Sequence, residues 1–435
     1  MATKWWKVRF GLTGLMGFVA GCALLFWLAV QMQPVHRWTR ALNNDDPDVR
    51  LTAMRGLRAM GSEAVPALMK ALKSKKVSSR VISAILLGEL GSASEPAVPA
   101  LVQALADRDP EVRWVAAEAL VKIGVEVPQG LESLIQLLGD TDVDVRWRTA
   151  TAIGRLGPKA RDAVPALIEL AKTDDQAKYQ ARYALSKLVD AADIPALIDL
   201  LRDDRDWVQW TGAEVISSIG EKAVPPLAGL LSRENTHSRF GGVLTLGMIG
   251  PAASSTLPAL NAAMKDSDGS VRVKAAWAVW KVGQEAEPTV PVLIAAVEDE
   301  SEETRMEAIT LLGEIGPAAH AAAPSLVETL KDQEKSLRYQ AAITLSKMGL
   351  AAHEAVPVLV EAMEDKSGPR LAAVLWLGSI GPEAKDAFPA LLRLAMQAGN
   401  DSPLTTAEEN LRNQAVNAAR KIDPDSATKA FDDVR

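Results

Sequence analysis

The stretch Val112-Arg113-Trp114-Val115-Ala116-Ala117-Glu118-Ala119-Leu120 decides the fold, because it returns. Val145-Arg146-Trp147 and Val271-Arg272-Val273-Lys274-Ala275-Ala276 repeat its opening, and looser copies fill the chain around them. The basic or polar anchor that follows the apolar residue is Arg50, Arg80, Arg113, Arg146, Lys178, Gln209, Arg239, Arg272, Arg305, Arg338, Arg370 and Arg412, with gaps of 30, 33, 33, 32, 31, 30, 33, 33, 33, 32 and 42. A period of this size is one supersecondary unit, so the chain is built by stacking. The two or three globular domains that 435 residues would otherwise suggest give way to that period.

Working outward from the anchor, apolar side chains fall at offsets −1, +3, +4, +7 and +10, as in Val112, Ala116, Ala117, Leu120 and Ile123. That spacing puts them on one helical stripe. Upstream lies a second apolar run, Ala97-Val98-Pro99-Ala100-Leu101, echoed at Val65-Pro66-Ala67-Leu68, Val164-Pro165-Ala166-Leu167 and Val356-Pro357-Val358-Leu359. A proline there suits a helix's opening turn, where its missing N–H costs nothing. Asp-bearing turns at 107–109, 140–144 and 266–268 separate the two runs and can cap the second. Gly61, Gly91, Gly124, Gly157, Gly220, Gly250, Gly283, Gly316, Gly349 and Gly381 come after the second run, where a left-handed residue ends a helix, and Pro158, Pro251, Pro317 and Pro382 stand directly after four of them.

These residues resemble HEAT repeats, in the short HEAT-like class also found in phycobilisome chromophore lyases, with its D-x-x-V-R…A-x-x-A-L-G-x-I-G consensus. The resemblance covers about residues 34–421 and implies an all-α fold: an armadillo-like helical α-solenoid, or α-α superhelix, of about twelve two-helix repeats. Repeats 5 and 6 depart from the pattern, with Lys178 and Gln209 for the arginine and Val189 for the closing glycine, and an irregularity is expected there. Eleven steps of helix layers make a body on the order of 100 Å long. Repeat 12, rich in Asn410, Asn413, Gln414 and Asn417, reads as a polar cap, succeeded by a polar tail over residues 422–435.

The first 33 residues differ in kind. Residues 1–9 carry Lys4, Lys7 and Arg9, and residues 10–32 hold no charge, enough for a transmembrane or signal-anchor helix across a bilayer core of about 30 Å. Basic residues stay cytoplasmic, so the expected orientation is N-terminus in and solenoid extracytoplasmic. Val19-Ala20-Gly21-Cys22 looks like a bacterial lipobox, which would make Cys22 a lipidation site, but Ala23 to Val30 continue as apolar as before. An uncleaved anchor and a lipidated cysteine both stay open, and both attach the chain to a membrane. Gly17 and Gly21 form a GxxxG pair of the kind that packs two such helices.

Composition narrows the function. Of the 48 basic residues five lie in the first 40, which leaves 43 against 55 acidic groups over the remainder. That excess of acid argues against general nucleic-acid binding. No phosphate loop, nucleophile elbow or Cys/His pairing occurs, and the histidines, His36, His237, His320 and His353, do not cluster, the last two lying one repeat apart, about 10 Å. Neither a catalytic residue, a cofactor nor a metal is expected.

Two residue sets stand out. The arginines Arg50, Arg80, Arg113, Arg146, Arg239, Arg272, Arg305, Arg338 and Arg370 read as a structural ladder of turn-fixing ion pairs with aspartates a few residues before, as in Asp46/Arg50 and Asp109/Arg113. At offset +1, repeats 3 to 7 place Trp114, Trp147, Tyr179, Trp210 and Phe240, repeat 8 supplies Trp277 and Trp280 further along, and repeat 10 has Tyr339. Stacked repeats align these rings along the second-helix surface, which the HEAT resemblance makes concave. They serve either as a binding strip or as packing between neighbours, since offset +1 borders the buried stripe. The function expected is a membrane-tethered interaction scaffold for another protein. An envelope glycan or polymer binder is the alternative, and a chromophore-lyase-like enzyme a more distant one.

Overall fold

The computed structural model describes residues 34–124, 128–349, 352–396 and 405–432. The apolar segment 10–32, Cys22 and the Gly17/Gly21 pair lie outside them. Among the described residues there are helices and turns and no strand. The chain divides into two compact units between Asp193 and Ile194, at the junction of the two atypical repeats.

In the first unit the second helices of repeats 1 to 5 are α1 (Pro47–Ala59), α2 (Val77–Glu89), α3 (Pro110–Ile123), α4 (Val143–Leu156) and α5 (Lys178–Leu188). In the second unit, repeats 6 to 12 supply α6 (Asp206–Ser217), α7 (Thr236–Ile249), α8 (Gly269–Gly283), α9 (Glu302–Ile315), α10 (Lys335–Met348), α11 (Arg370–Ile380) and α12 (Thr406–Ile422). The first helices are shorter. Typically a 3-10 turn such as Gly91–Ala97 leads into a short α-helix such as Val98–Ala104, with proline in its first turn. Residues 422–435, expected as a polar tail, include one more helix, Pro424–Asp432, whose Ala427 is fully buried.

The core of each unit is a column of leucines. In the first helices Leu68, Leu101, Leu167, Leu197, Leu227, Leu260, Leu293, Leu326, Leu359 and Leu391 are all 0% exposed. Facing them at offset +7 of the second helices, Leu57, Leu87, Leu120, Ile153, Leu185, Ile216, Leu246, Val279, Leu312, Leu345 and Leu377 are equally buried. Each such side chain contributes roughly 1.5–3 kcal/mol by leaving water. The stretch Thr236–Ala263 is long and apolar enough by composition to cross a bilayer, yet it is α7 plus the next first helix, turned at Gly250, with half of its most apolar stretch buried.

Neighbouring second helices approach at small residues. A Cβ added to Gly88 would meet the Ala119 Cα at 2.8 Å, and Gly154, Gly247 and Gly378 stand in the same relation to Ala184, Ala278 and Ala418.

The helix-ending glycines do not all close their helices in the same way. Gly124 and Gly349 have the expected left-handed conformation. Gly157, Gly250, Gly316 and Gly381 instead have φ of 62 to 70° with ψ of −138 to −146°, and each precedes a proline. The proline Cδ disfavours helical ψ in the residue before it, and only glycine reaches this alternative. Gly283 departs from expectation altogether: it stays inside α8, and Gln284 takes the left-handed position at φ 55°.

Candidate functional site

The recurring arginine is tied into the frame twice over. Its Nη1 donates to the carbonyls six and five residues back, as Arg113 does to Asp107 at 3.0 Å and Arg108 at 3.3 Å. Arg50, Arg80, Arg146, Arg239, Arg272, Arg305 and Arg338 repeat this fork. Arg370, after Pro369, uses Nε to reach the Met363 carbonyl instead.

The carboxylate partner is not the expected one. Arg113 pairs with Asp140 of the following repeat, at 2.7 and 2.6 Å. In the same way Arg80 reaches Asp107, Arg146 reaches Asp174, Arg239 reaches Asp266 and Arg272 reaches Asp299. The pairs Asp46/Arg50 and Asp109/Arg113 are therefore corrected: Asp46 and Asp109 cap α1 and α3 by accepting from Asp48 N and Glu111 N. A guanidinium anchored on its own turn points away from its own cap and spans to the next repeat. Gln209 mimics part of this, with Nε2 donating to the Asp203 carbonyl at 2.8 Å and lying 3.1 Å from His237 Nδ1. Lys178 pairs within its own turn with Asp175.

These contacts perturb the carboxylates. The Arg239 guanidinium, outweighing burial, holds Asp266 below the usual carboxylate range. For Asp107 burial pushes the other way, but hydrogen bonds from Arg80 and the Asp109 N–H carry it low.

The predicted aromatic residues occupy three environments. In the first unit Tyr179 is 58% exposed, while Trp114 and Trp147 are half-buried. Between those tryptophans sits a residue that sequence spacing did not single out. The Arg148 guanidinium lies over the Trp114 ring at 4.0 Å and the Trp147 ring at 4.5 Å. It makes no hydrogen bond or ion pair among the described residues, and its Nε is shielded from solvent without an acceptor. The Trp147 indole N–H is fixed by Asp144 at 2.8 Å. Beyond lie Tyr179 with Arg182, 5.4 Å from its ring, and Tyr183 with Lys187 at 5.7 Å. Tyr183, also missed, is 43% exposed although one edge rests on Gly154. Offset +5 is a surface neighbour of both +1 and +2, and a cation at +2 falling between successive rings is the signal that would have revealed Arg148.

In the second unit Trp210 is 46% exposed, and Phe240, Trp277 and Trp280 are half-buried. Trp277 fills the space left by the absent side chain of Gly247, which makes it a packing residue on that side. Lys274 lies 5.6 Å from the Phe240 ring and 5.5 Å from Trp277 and is paired with Glu307. Tyr339 does not belong to the surface. It is buried, its hydroxyl donates to Asp365 at 3.0 Å, and burial together with that hydrogen bond pushes its pKa up to about 12.

A depression of about 530 Å³ beside α7 is lined by Arg202, Ser232, Arg233, Glu234, Asn235 and Ser238, with no aromatic ring among them. Among the described residues no three His, Cys, Asp or Glu side chains are placed to hold a metal ion.

The comparisons with known proteins agree with this architecture. No curated protein matches the sequence. The solved structure of the karyopherin Kap121p bound to the extreme C-terminus of the protein phosphatase Cdc14p is similar, at TM-score 0.59 and 14% identity over 98% of this chain and 54% of that one. Kap121p bound to Pho4p gives 0.59 and 14% over 94% and 52%, and Kap95p with RanGDP gives 0.52 and 13% over 92% and 69%. The chain thus spans about half the length of the Kap121p structures, and at such identity the likeness is one of fold. The HEAT-repeat model matches residues 35–120, 78–141, 131–217, 194–280, 256–346, 290–374 and 323–412, and so the chain belongs to the HEAT-repeat family.

Proposed function

We propose that this chain is a protein-interaction scaffold held at a membrane by its N-terminal segment, with the second-helix surface as the face offered to a partner. The observation that carries the reading is the exposure of Tyr179, Tyr183 and Trp210 on second helices whose inner faces are otherwise filled by Ala and Leu. Large rings left in water are what protein interfaces use as anchors. A repeat fold adds a surface that is extended for its mass. The tether rests on the uncharged run 10–32 behind Lys4, Lys7 and Arg9, which favours an extracytoplasmic solenoid.

Photo-crosslinking tests the face. A crosslinker at position 179 or 210 should capture a protein in cells, whereas one at the exposed Lys70 of a first helix should not. Capture from Lys70 alone would place the interface elsewhere. For the tether, the full chain should resist carbonate extraction from membranes while a version starting at residue 34 does not. Mass spectrometry of the N-terminus then separates an intact anchor from a lipidated Cys22.

A further inference from the structure

We propose that the α4–α5 face of the first unit docks an extended protein segment bearing acidic side chains, with the Arg148 guanidinium receiving one of its carboxylates. This rests on the scaffold reading above and names the chemistry of the partner.

The case begins with a comparison inside the molecule. Arg148 stands at offset +2 of repeat 4, and Lys274 holds the same position in repeat 8. Both lie near two aromatic rings, Trp114 and Trp147 for the one, Phe240 and Trp277 for the other. Lys274 is neutralised by Glu307, the offset +2 residue of the next repeat. The residue equivalent to Glu307 for Arg148 is Gln180, which carries no charge and whose own Oε1 is buried without a donor. The carboxylate that the second unit provides from within is missing from the first.

The geometry limits what can supply it. With rings against the guanidinium at 4.0 and 4.5 Å, the part left for a ligand is its edge, where the Nη donors form a fork matched to a carboxylate. The surrounding field has the right sign. The two helices themselves carry Arg146, Arg148, Arg155, Lys178, Arg182 and Lys187 against one carboxylate, Asp144, which is engaged by Trp147, and Glu118, Asp174 and Asp175 of neighbouring segments offset three of those cations. This is a local reversal in a chain of net charge −7.

A phosphate polymer or an anionic membrane needs a row of uncommitted cations to displace counterions. Here Arg146 is bound to Asp174, Arg155 to Glu118 and Lys178 to Asp175. One unpaired guanidinium on α4, with the exposed Tyr179 and Tyr183 on the neighbouring α5, suits instead a segment that alternates an acidic residue with apolar ones.

Selecting a randomised displayed peptide library on the full-length chain tests this. Selected peptides should be enriched in Asp and Glu. A synthetic copy of one should bind about tenfold more weakly to Arg148→Gln, as losing a charge-assisted fork implies, and Arg148→Lys should not restore it. Arg55→Gln, an exposed cation on α1, should bind as the parent does. Because Arg148→Gln also unstacks two tryptophans, Gln180→Glu is the second variant. It supplies the internal carboxylate, so it should raise the melting temperature and yet weaken peptide binding. Peptides without acidic enrichment, or affinities unchanged in both variants, overturn the proposal. So does Arg148-dependent binding of phosphatidylglycerol vesicles or oligodeoxythymidylate with no acidic peptide selected. Partner capture from position 179 that ignores both variants would sink the acidic partner but leave the scaffold standing. Failure of capture from both 179 and 210 would sink the scaffold reading itself.

Discussion

At the residue scale, one side chain does two jobs when its donors point in two directions. Arg113 closes its own turn through the Asp107 and Arg108 carbonyls and clips the next repeat through Asp140, with only 13% and 9% of the two side chains exposed. Arg113→Gln should therefore cost about 3 kcal/mol or more, because Asp140 is left shielded and unpaired. Arg58→Gln, which breaks an ion pair whose arginine is 53% exposed, should cost less than about 1 kcal/mol. Chemical denaturation of the two variants reads the difference. Glycine gives a second contrast. Gly381→Ala forces a side chain into φ 70°, ψ −138° and should lose about 1–3 kcal/mol, whereas Gly349→Asn, in the left-handed region that asparagine tolerates, should lose little.

At the scale of the element, repeats are held by leucines inside each helix pair and by small residues between pairs. Leu101 is fully buried in a first helix only seven residues long, so its side chain carries much of that helix's attachment. Leu101→Ala should cost about 2–5 kcal/mol. Between second helices the limit is steric. Gly88→Val has no room beside the Ala119 backbone and should destabilise by about 1–3 kcal/mol, with raised hydrogen exchange in α2 and α3 relative to α4. Equal protection in all three helices would show that the approach at Gly88 is relieved by a local shift.

For the whole molecule, the carboxylate–guanidinium rungs link stability to pH. Asp107, Asp174 and Asp266 all have their pKa depressed in the folded chain. A depressed carboxylate adds stability that is complete above its unfolded value, about 3.9, and is lost as pH falls through the folded value. The melting temperature should thus be flat on the acid side down to about pH 5 and fall steeply below about pH 4. Because the rungs recur along both units, the loss should appear in both when hydrogen exchange is monitored at low pH. A fall confined to one unit would mean that the rungs there contribute little.

What the sequence determined by itself is the repeat: its number, its helix pair, its breakers and the place of Arg113 and its equivalents. Those arise from interactions within a few residues along the chain, such as the offset +7 leucine, the Asp109 cap and Gly381 before Pro382, and local chemistry writes them directly into spacing. Tertiary structure alone decided which rings stay accessible. Trp147, Tyr179 and Tyr339 share one offset, yet one is half-covered by Arg148, one is exposed and one is buried over Asp365. It also decided that Arg113 reaches forward to Asp140 and not back to Asp109, and that Arg148 lacks the carboxylate Lys274 possesses. Each of these depends on what the neighbouring repeat places a few ångströms away, a distance that residue spacing within one repeat does not encode.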